Sequence, residues 1–320
     1  MTGSVVPSPA VLARTRAELA DALAGDAAPR AVVMTMGALH QGHFDLVIEA
    51  ARRVGESGTV VVTIFVNPLQ FAPEEDLDAY PRTLDADVAG LTGALTRDDG
   101  VLRVGRLIVF APTPEVMYPD GEPRVRIDPG PIATVLEGRS RPTHFGGVCQ
   151  VVLALLHLTA PRWAMFGRKD AQQLAIVSAM VRDLAVPVEI VPVDIRREPD
   201  GLAMSSRNAY LGPEQRQQAL ALSAALEAGR AAADAGAGAS RIRAAALAHL
   251  EAAPGVEVDY VAIVDPETFV DLAGAGLGLA GGPETGEEQA QGEPRQGLLA
   301  LAARVGSTRL IDNARVPLTS

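Results

Sequence analysis

Residues 31–54 read AVVMTMGALHQGHFDLVIEAARRV. Ala31 to Met36 form an apolar, β-branched run of the length of one buried strand. From His43 to Val54 the apolar residues Phe44, Val47, Ile48, Ala51 and Val54 recur on one helical face. A glycine-containing turn joins the two, so the stretch reads as strand, tight turn and helix. The same alternation continues downstream. Thr59 to Val66 is rich in Val and Ile and is stopped by Asn67-Pro68. Leu107–Phe110, Trp163–Phe166 and Val188–Val193 read as further strands, separated by helical periods over Leu84–Leu95, Val148–Leu158 and Ala171–Leu184. Strands alternating with helices of that length predict an α/β fold, a Rossmann-like doubly wound parallel sheet with helices on both faces. Ligands of such sheets bind beyond the carboxyl ends of the strands.

After Arg196 the texture changes. Pro213–Ala235 and Ser240–Ala252 are Ala-rich helices, followed by an alternating strand, Val256–Val264, and two short apolar runs, Leu298–Val305 and Thr308–Ile311. This predicts a smaller C-terminal α+β domain over 196–320, acting as a lid, beside a Rossmann-like domain over 1–195. Two domains also suit 320 residues at ~150 residues each. Gly281 to Gly297 is rich in Gly, Glu and Gln without apolar period, and reads as a mobile loop.

Composition limits the partners. With 48% hydrophobic and 21% charged residues the chain has an ordinary globular profile. A net charge of -11 disfavours duplex nucleic acid and anionic membranes, so any polyanion must be small and locally captured. The single cysteine, Cys149, reads as core. No basic segment followed by an apolar stretch opens the chain, and Phe145–Ala160 falls short of the ~20 apolar residues of a bilayer span, so a cytoplasmic location is expected.

Four segments carry chemistry. Met36-Gly37-Ala38-Leu39-His40-Gln41-Gly42-His43 puts two imidazoles at a helix N-terminus, where backbone N–H groups and the helix dipole favour an anion; a pair of turn histidines without ligand is the competing reading. Phe65-Val66-Asn67-Pro68-Leu69-Gln70-Phe71 presents the amides of Asn67 and Gln70 from a strand end, suited to a small polar substrate, although Asn-Pro alone is turn chemistry. Gly167-Arg168-Lys169-Asp170-Ala171-Gln172-Gln173 offers Lys169 to a phosphate and Asp170 either to a ribose hydroxyl or as a helix cap. Asp200-Gly201-Leu202-Ala203-Met204-Ser205-Ser206-Arg207-Asn208 offers two hydroxyls and a guanidinium to a polyphosphate, or serves as a polar linker.

Together these segments resemble the pantothenate synthetase family, the pantoate–β-alanine ligases of the adenylate-forming nucleotidyltransferase superfamily. The resemblance runs from Val32 to Asn313 and comprises TMGALHxGH at 35–43, FVNPxQF at 65–71, DLDAYPRT at 76–83, RPTHF at 141–145, GxKDxQQ at 167–173 and DGLAMSSRNxYL at 200–211. It implies a homodimeric enzyme that joins pantoate to β-alanine using ATP and Mg²⁺ through pantoyl adenylate, releasing AMP and pyrophosphate. It implies that Met36 to His43 hold ATP, with His43 as proton donor and His40 beside the phosphates, and that Gly167, Arg168, Lys169 and Asp170 form a second ATP contact. Catalysis is implied for His43, His40 and Lys169. Met204, Ser205, Ser206 and Arg207 would grip phosphate, with the backbone near Arg196 beside the adenine. Gln70 and Gln173 would hold pantoate, Gln70 would also meet β-alanine, and Asn67, Arg141, Tyr80 and His144 would complete the pocket, with a purely structural role for His144 equally open.

Three departures stand out against the family pattern. Arg168 replaces the usual Glu, so either nucleotide affinity is altered or the side chain points to solvent. Leu84-Asp85-Ala86-Asp87 is thin in acids, which leaves the direct metal ligands unknown and assigns Mg²⁺ to ATP phosphates and water. Arg97–Arg106 and Gly281–Gly297 are long connections, read as surface insertions. Two other functions compete: a different nucleotidyltransferase or tRNA-charging relative, and a non-catalytic nucleotide binder. The acidic net charge and the lack of an appended basic domain count against tRNA. The intact His40, His43, Lys169 and Arg207 count against a mere binder.

Overall fold

The computed structural model describes residues 10–72, 77–274 and 295–318. The chain divides into two compact units: Met1–Pro129 with Thr143–Arg168 and Ile176–Asp194, and Gly130–Pro142 with Lys169–Ala175 and Ile195–Ser320. The second unit thus takes in two stretches that precede residue 195.

The first unit is built on β1 (Val11–Ala13), β2 (Arg30–Thr35), β3 (Thr59–Ile64), β4 (Arg106–Phe110), β5 (Trp163–Gly167) and β6 (Glu189–Val193). They form one sheet in the order β1-β4-β3-β2-β5-β6, and every pairing is parallel. Its helices are α1 (Arg16–Leu23), α2 (Gln41–Val54), α3 (Leu84–Leu95), the short α4 (Pro114–Met117), α6 (His144–Thr159) and α7 (Ala171–Asp183) from Ile176 onward, while the short α5 (Glu137–Ser140) and the first residues of α7 belong to the second unit. Ala31, Val32 and Val33 of β2 are all fully buried, as a central parallel strand covered on both faces requires. On one face Val33, Val60, Val62, Val109 and Met165 pack with Val47, Ala50 and Val54 of α2 and with Leu91 and Leu95 of α3. The expected doubly wound sheet is therefore present. The chain runs outward from β2 to β3 and β4, then returns to β5 on the other side of β2, so the order reverses between β2 and β5. That reversal opens a crevice at the strands' carboxyl ends.

The segment 97–106, expected as a surface insertion, is exposed at most of its positions and anchored at two. Thr96 and Leu102 bridge across a tight turn, and the apolar side chains of Leu102 and Val104 are buried in the α2–α3 core. Four short elements have no counterpart in the sequence reading, β1, α1, α4 and α5. Helix α1 starts at a reciprocal cap: the Glu18 amide donates to Thr15 Oγ1 at 3.1 Å, and the Thr15 amide donates to Glu18 Oε2 at 3.0 Å.

In the second unit β7 (Val256–Val264), β8 (Arg295–Val305) and β9 (Thr308–Leu318) form an antiparallel sheet in sequential order. Strict alternation along β8 sorts its core. Leu299, Leu301, Ala303 and Val305 pack with α8 (Pro213–Asp234) and α9 (Ala239–Glu251), whereas Leu298, Ala300 and Ala302 pack with Val135, Leu136 and Ala175. The stretches 130–142 and 169–175 therefore cover the sheet face opposite the helices. Of the expected loop 281–297, residues 295–297 open β8 and the remainder lies outside the described residues. β9 continues seven residues past Ile311, because Asp312, Asn313, Arg315 and Pro317 interrupt the apolar pattern without ending the ladder.

A partly buried ion cluster fixes the 130–142 stretch. Arg309 of β9 donates to both carboxylate oxygens of Glu137 at 2.7 Å and to Asp259 Oδ2 at 2.9 and 2.7 Å, and the Tyr260 hydroxyl donates to Glu137 Oε1 at 2.9 Å. Burial and the neighbouring Glu137 charge push the Tyr260 phenol well above its usual range, so it remains a donor. Removing one partner of such a cluster strands the other charge. Arg309→Leu is expected to lower stability by about 3 kcal/mol or more, and Tyr260→Phe by about 1 kcal/mol. Urea unfolding followed by circular dichroism measures both, and equal, negligible losses would contradict the assignment.

Candidate active site

The turn leaving β2 is shaped by a buried carboxylate. Gly37 has φ +91° and Ala38 φ +52°, and a Cβ on Gly37 would lie 3.2 Å from Asp87 Oδ2 and from Ile64 Cγ2. Asp87, in the first turn of α3 and 4% exposed, accepts from the Ala38 amide at 3.1 Å, the Leu39 amide at 2.8 Å and the Thr83 hydroxyl at 3.2 Å. Two amide donors and the N-terminal end of α3 together hold a negative charge that burial alone would disfavour. Each Asp87 oxygen thereby holds one amide of the turn. Among the described residues no three His, Cys, Asp or Glu side chains gather as a metal cage.

Beyond the turn, α2 starts at a cap made by the two histidines. His40 Nδ1 accepts the Gly42 amide and His43 Nδ1 accepts the His40 amide, each at 3.2 Å. The ring centroids lie 4.0 Å apart with a tilt of 37°. A neutral imidazole that accepts at Nδ1 carries its proton on Nε2. The hydrogen-bond pattern thus assigns both rings the Nε2–H tautomer, with Nδ1 serving the backbone. Each half-buried ring thus carries its N–H on Nε2 at a helix start whose Gly42 amide is taken by His40 Nδ1 and whose His43 and Phe44 amides bond to His40 O.

Asn67 and Gln70 sit after β3 in a tight turn, Pro68–Gln70. Asn67 is 1% exposed and fully committed: Oδ1 accepts from the Leu69 amide at 3.3 Å and the Tyr118 hydroxyl at 2.9 Å, while Nδ2 donates to Gln70 Oε1 at 3.3 Å and Gly147 O at 3.1 Å. That exhausts its bonding capacity. Asn67 therefore orients Gln70 instead of offering itself to a ligand. Burial pushes the Tyr118 phenol up to about 12, which keeps it a donor. Gln70 Nε2 also donates to Met36 Sδ at 3.0 Å, and His144 Nδ1 lies 3.0 Å from Gln70 O, so Met36, Gln70 and His144 come together as the motifs suggest. A Cβ on Gly147 would collide with the Leu69 carbonyl, so glycine is what lets α6 approach this turn. Tyr80 is buried edge-on against Phe71, with ring centroids 6.2 Å apart. Cys149 is fully buried and its thiol is pushed up to about 11 by burial, as a core residue.

Because β2 pairs with β5, the strand ends leading into Met36 and Gly167 are neighbours at the sheet's reversal. Arg168 turns its guanidinium to Asp194, Nε to Oδ1 at 3.0 Å, just past the end of β6. The Arg168 charge is thus matched locally by an exposed carboxylate.

The second unit holds the remaining segments. Lys169 and Asp170 lie in a short turn before α7, Lys169 half-buried and Asp170 exposed, and Asn313 Nδ2 donates to Lys169 O at 2.8 Å. Gln172 is 4% exposed and bound to Ile132 O, Val135 O and the Glu137 amide, a structural role, and the adjacent Gln173 is only partly buried. The Arg141 amide donates to Glu137 O at 2.8 Å, and its side chain is partly exposed. Arg196 is exposed, and its carbonyl accepts the Met204 amide at 2.9 Å, closing a tight loop turned at Gly201. Ser205 caps the next turn by accepting the Arg207 amide at 3.3 Å, and Asn208 Nδ2 donates to Glu198 Oε1 at 2.7 Å and Ala203 O at 3.1 Å. Arg216 reaches Glu198 Oε2 and Asp200 Oδ2 at 2.7 Å each, and these bonds hold both carboxyls below their usual range.

Sequence reasoning missed Asp87 as a turn clamp, Tyr118, Gln172 and the pair Asp312–Asn313. The one usable signal was an acid in the first turn of a helix that follows Pro-Arg-Thr; the others are distant in sequence from what they hold.

The model of the pantoate–β-alanine ligase family matches residues 11–315. The pantothenate synthetase of Salinispora arenicola is 49% identical over 308 residues, covering 96% of this chain and 98% of its own. That of Nocardia farcinica is 50% identical over 310 residues, covering 97% and 85%. Among solved structures, pantothenate synthetase from Thermus thermophilus superposes with a TM-score of 0.79 at 42% identity over 95% of this chain and 98% of that one. The pantoate–β-alanine ligase of Francisella tularensis, solved with beta-gamma ATP and β-alanine, gives a TM-score of 0.71 at 27% identity over 95% and 97%. With similarity running through both units, this chain belongs to the pantoate–β-alanine ligase family.

Proposed function

We propose that this enzyme condenses pantoate with β-alanine in two steps, forming pantoyl adenylate and pyrophosphate from pantoate and ATP, then pantothenate and AMP. The observation that carries the reading is the reciprocal histidine cap of α2, which gives both imidazoles the tautomer that donates from Nε2 and sets them beside the helix amides at the mouth of the parallel sheet. A carboxylate is a poor acyl donor because its leaving group would be oxide. Attack of a pantoate carboxylate oxygen on the α-phosphorus, with pyrophosphate departing, converts it to a mixed anhydride. The β-alanine amine then attacks the acyl carbon, the bond to AMP breaks, and the ammonium proton is lost. Neither step needs a covalent nucleophile on the protein, so catalysis rests on orientation and on donors aimed where negative charge builds on phosphate.

In this reading Met36 to His43 hold ATP, with His43 donating toward the departing pyrophosphate and His40 beside it. Gly167 to Asp170 make a second ATP contact, Lys169 through its ammonium, and Met204 to Arg207 supply hydroxyls and a guanidinium. The backbone near Arg196 lies beside the adenine. Gln70 orients pantoate and meets β-alanine, Gln173 and Arg141 bind pantoate, and Asn67 acts by orienting Gln70. Mg²⁺ arrives as part of the nucleotide substrate, held by phosphate oxygens and water. A homodimer in the cytoplasm completes the proposal. No helix among the described residues is long and apolar enough to cross a membrane.

Purified protein is expected to form AMP only when ATP, Mg²⁺, pantoate and β-alanine are all present, and pantoate alone should support exchange of labelled pyrophosphate into ATP. Exchange driven by an amino acid instead would point to the tRNA-charging relative, and tight ATP binding without turnover to a mere binder. His43→Ala or Lys169→Ala should lower kcat by ~10²-fold or more with folding intact, the scale of one lost transition-state donor. Undiminished turnover in either variant removes that residue from the mechanism. Asp87→Asn, which keeps the side chain's size but weakens two amide contacts, should raise KM for ATP by roughly tenfold and leave KM for β-alanine unchanged. Steady-state kinetics with each substrate varied separately reads the difference.

A further inference from the structure

β9 carries two adjacent buried polar residues, Asp312 at 2% and Asn313 at 7% exposure, in a strand whose other buried positions are mostly apolar. Neighbours in a strand point to opposite faces of the sheet. Leu310 and Ala314 pack into the α8–α9 side, which places Asp312 with them, while Ile311 packs with Val135 and Ala175 on the other side and places Asn313 there. Burying two polar groups costs free energy unless each finds a partner, and both have found one outside the sheet.

On the helix side, Asp312 takes Arg197 in a two-pronged ion pair, Nη1 to Oδ2 at 2.7 Å and Nη2 to Oδ1 at 3.0 Å, and also accepts the Asn313 amide at 2.8 Å. Arg197 in turn donates to Gly201 O at 3.0 Å and is bridged by its backbone to Ala203, so the pair fixes the base of the loop that presents Met204 to Arg207. On the opposite face, Asn313 Nδ2 holds the carbonyl of Lys169 at 2.8 Å. One dipeptide thus ties down two chain segments that lie well apart in sequence.

We infer that Asp312 and Asn313 are positioning residues for the adenylation step, setting the spacing between Lys169 and the Met204–Arg207 loop to that of a nucleotide triphosphate. The inference rests on the proposed phosphate roles of those two segments. Neither residue touches substrate; each acts through what it holds. The pair also matches the Arg197 charge with a carboxylate, as Glu198 and Asp200 match Arg216, so these two guanidiniums are committed to the loop and not to phosphate.

Near-isosteric variants of the full-length enzyme test this. Asp312→Asn weakens the ion pair, and Asn313→Asp replaces the donor to Lys169 O with a repelling oxygen. Each is expected to lower kcat/KM for ATP in pantoate-dependent pyrophosphate exchange by roughly tenfold or more, the scale of a hydrogen bond lost from a buried group, with KM for β-alanine unchanged. Should Asp312→Asn not fold, Arg197→Lys, which keeps the charge and loses the two-pronged geometry, carries the same expectation. Wild-type exchange kinetics in folded variants would overturn the inference, as would equal losses toward ATP and β-alanine that track only a lowered Tm. Wild-type enzyme without pantoate-dependent exchange would instead sink the ligase reading. Calorimetric titration with ATP alone would then still report whether the two substitutions weaken nucleotide binding.

Discussion

The order reversal between β2 and β5 is the constraint on which the first unit's chemistry depends. A parallel strand has no short return, so each connection must cross a face of the sheet, and the faces on both sides of β2 must be covered by apolar surface. Ala31, Val32 and Val33 meet that demand at full burial. Because the connections leave β2 and β5 in opposite directions, a crevice opens beyond their carboxyl ends. The first helix to start there, α2, carries His40 and His43 at its N-terminal end.

Holding the opening in shape falls to polar residues with no evident role in bond making. Asp87 fixes a turn with two successive positive φ angles, a conformation that costs alanine free energy at position 38. Asn67, held by the Leu69 amide, the Tyr118 hydroxyl and the Gly147 carbonyl, donates its remaining N–H to Gln70 Oε1 and so orients that amide. Each of these groups is buried, so each would be costly without its partners, and the cost is what makes the geometry definite.

The parallel strands and long helices were legible because each follows one clear period: β3, β7 and α3 emerge within two residues of their pattern-based limits. β1 was hidden by its three-residue length, and α1 by weak amphipathicity, although the Thr15 and Glu18 cap pair was present to be read. The C-terminal half of β9 was hidden because its ladder continues through Asp312 and Asn313, which hydrophobic patterning treats as an ending. The site was legible as motifs, since His40, His43, Gln70 and Lys169 sit at strand ends in short signatures. Their supports were not, because Tyr118 lies 51 residues from Asn67 and Asn313 lies 144 from Lys169, and no local pattern encodes such distances.

The histidine cap shows why those supports matter. A serine or threonine at position 40 would cap α2 as well, since one side-chain oxygen suffices to accept an amide. It would spend its oxygen inward. An imidazole has two nitrogens on opposite edges of a rigid ring, so accepting the Gly42 or His40 amide at Nδ1 leaves the Nε2–H donor on the far side. Capping and donation are then coupled: the backbone bond selects the tautomer, and the tautomer selects which edge can meet a phosphate. In this family member, helix start and donor pair are one structure, and the buried residues that fix the turn before it also fix the direction of those donors.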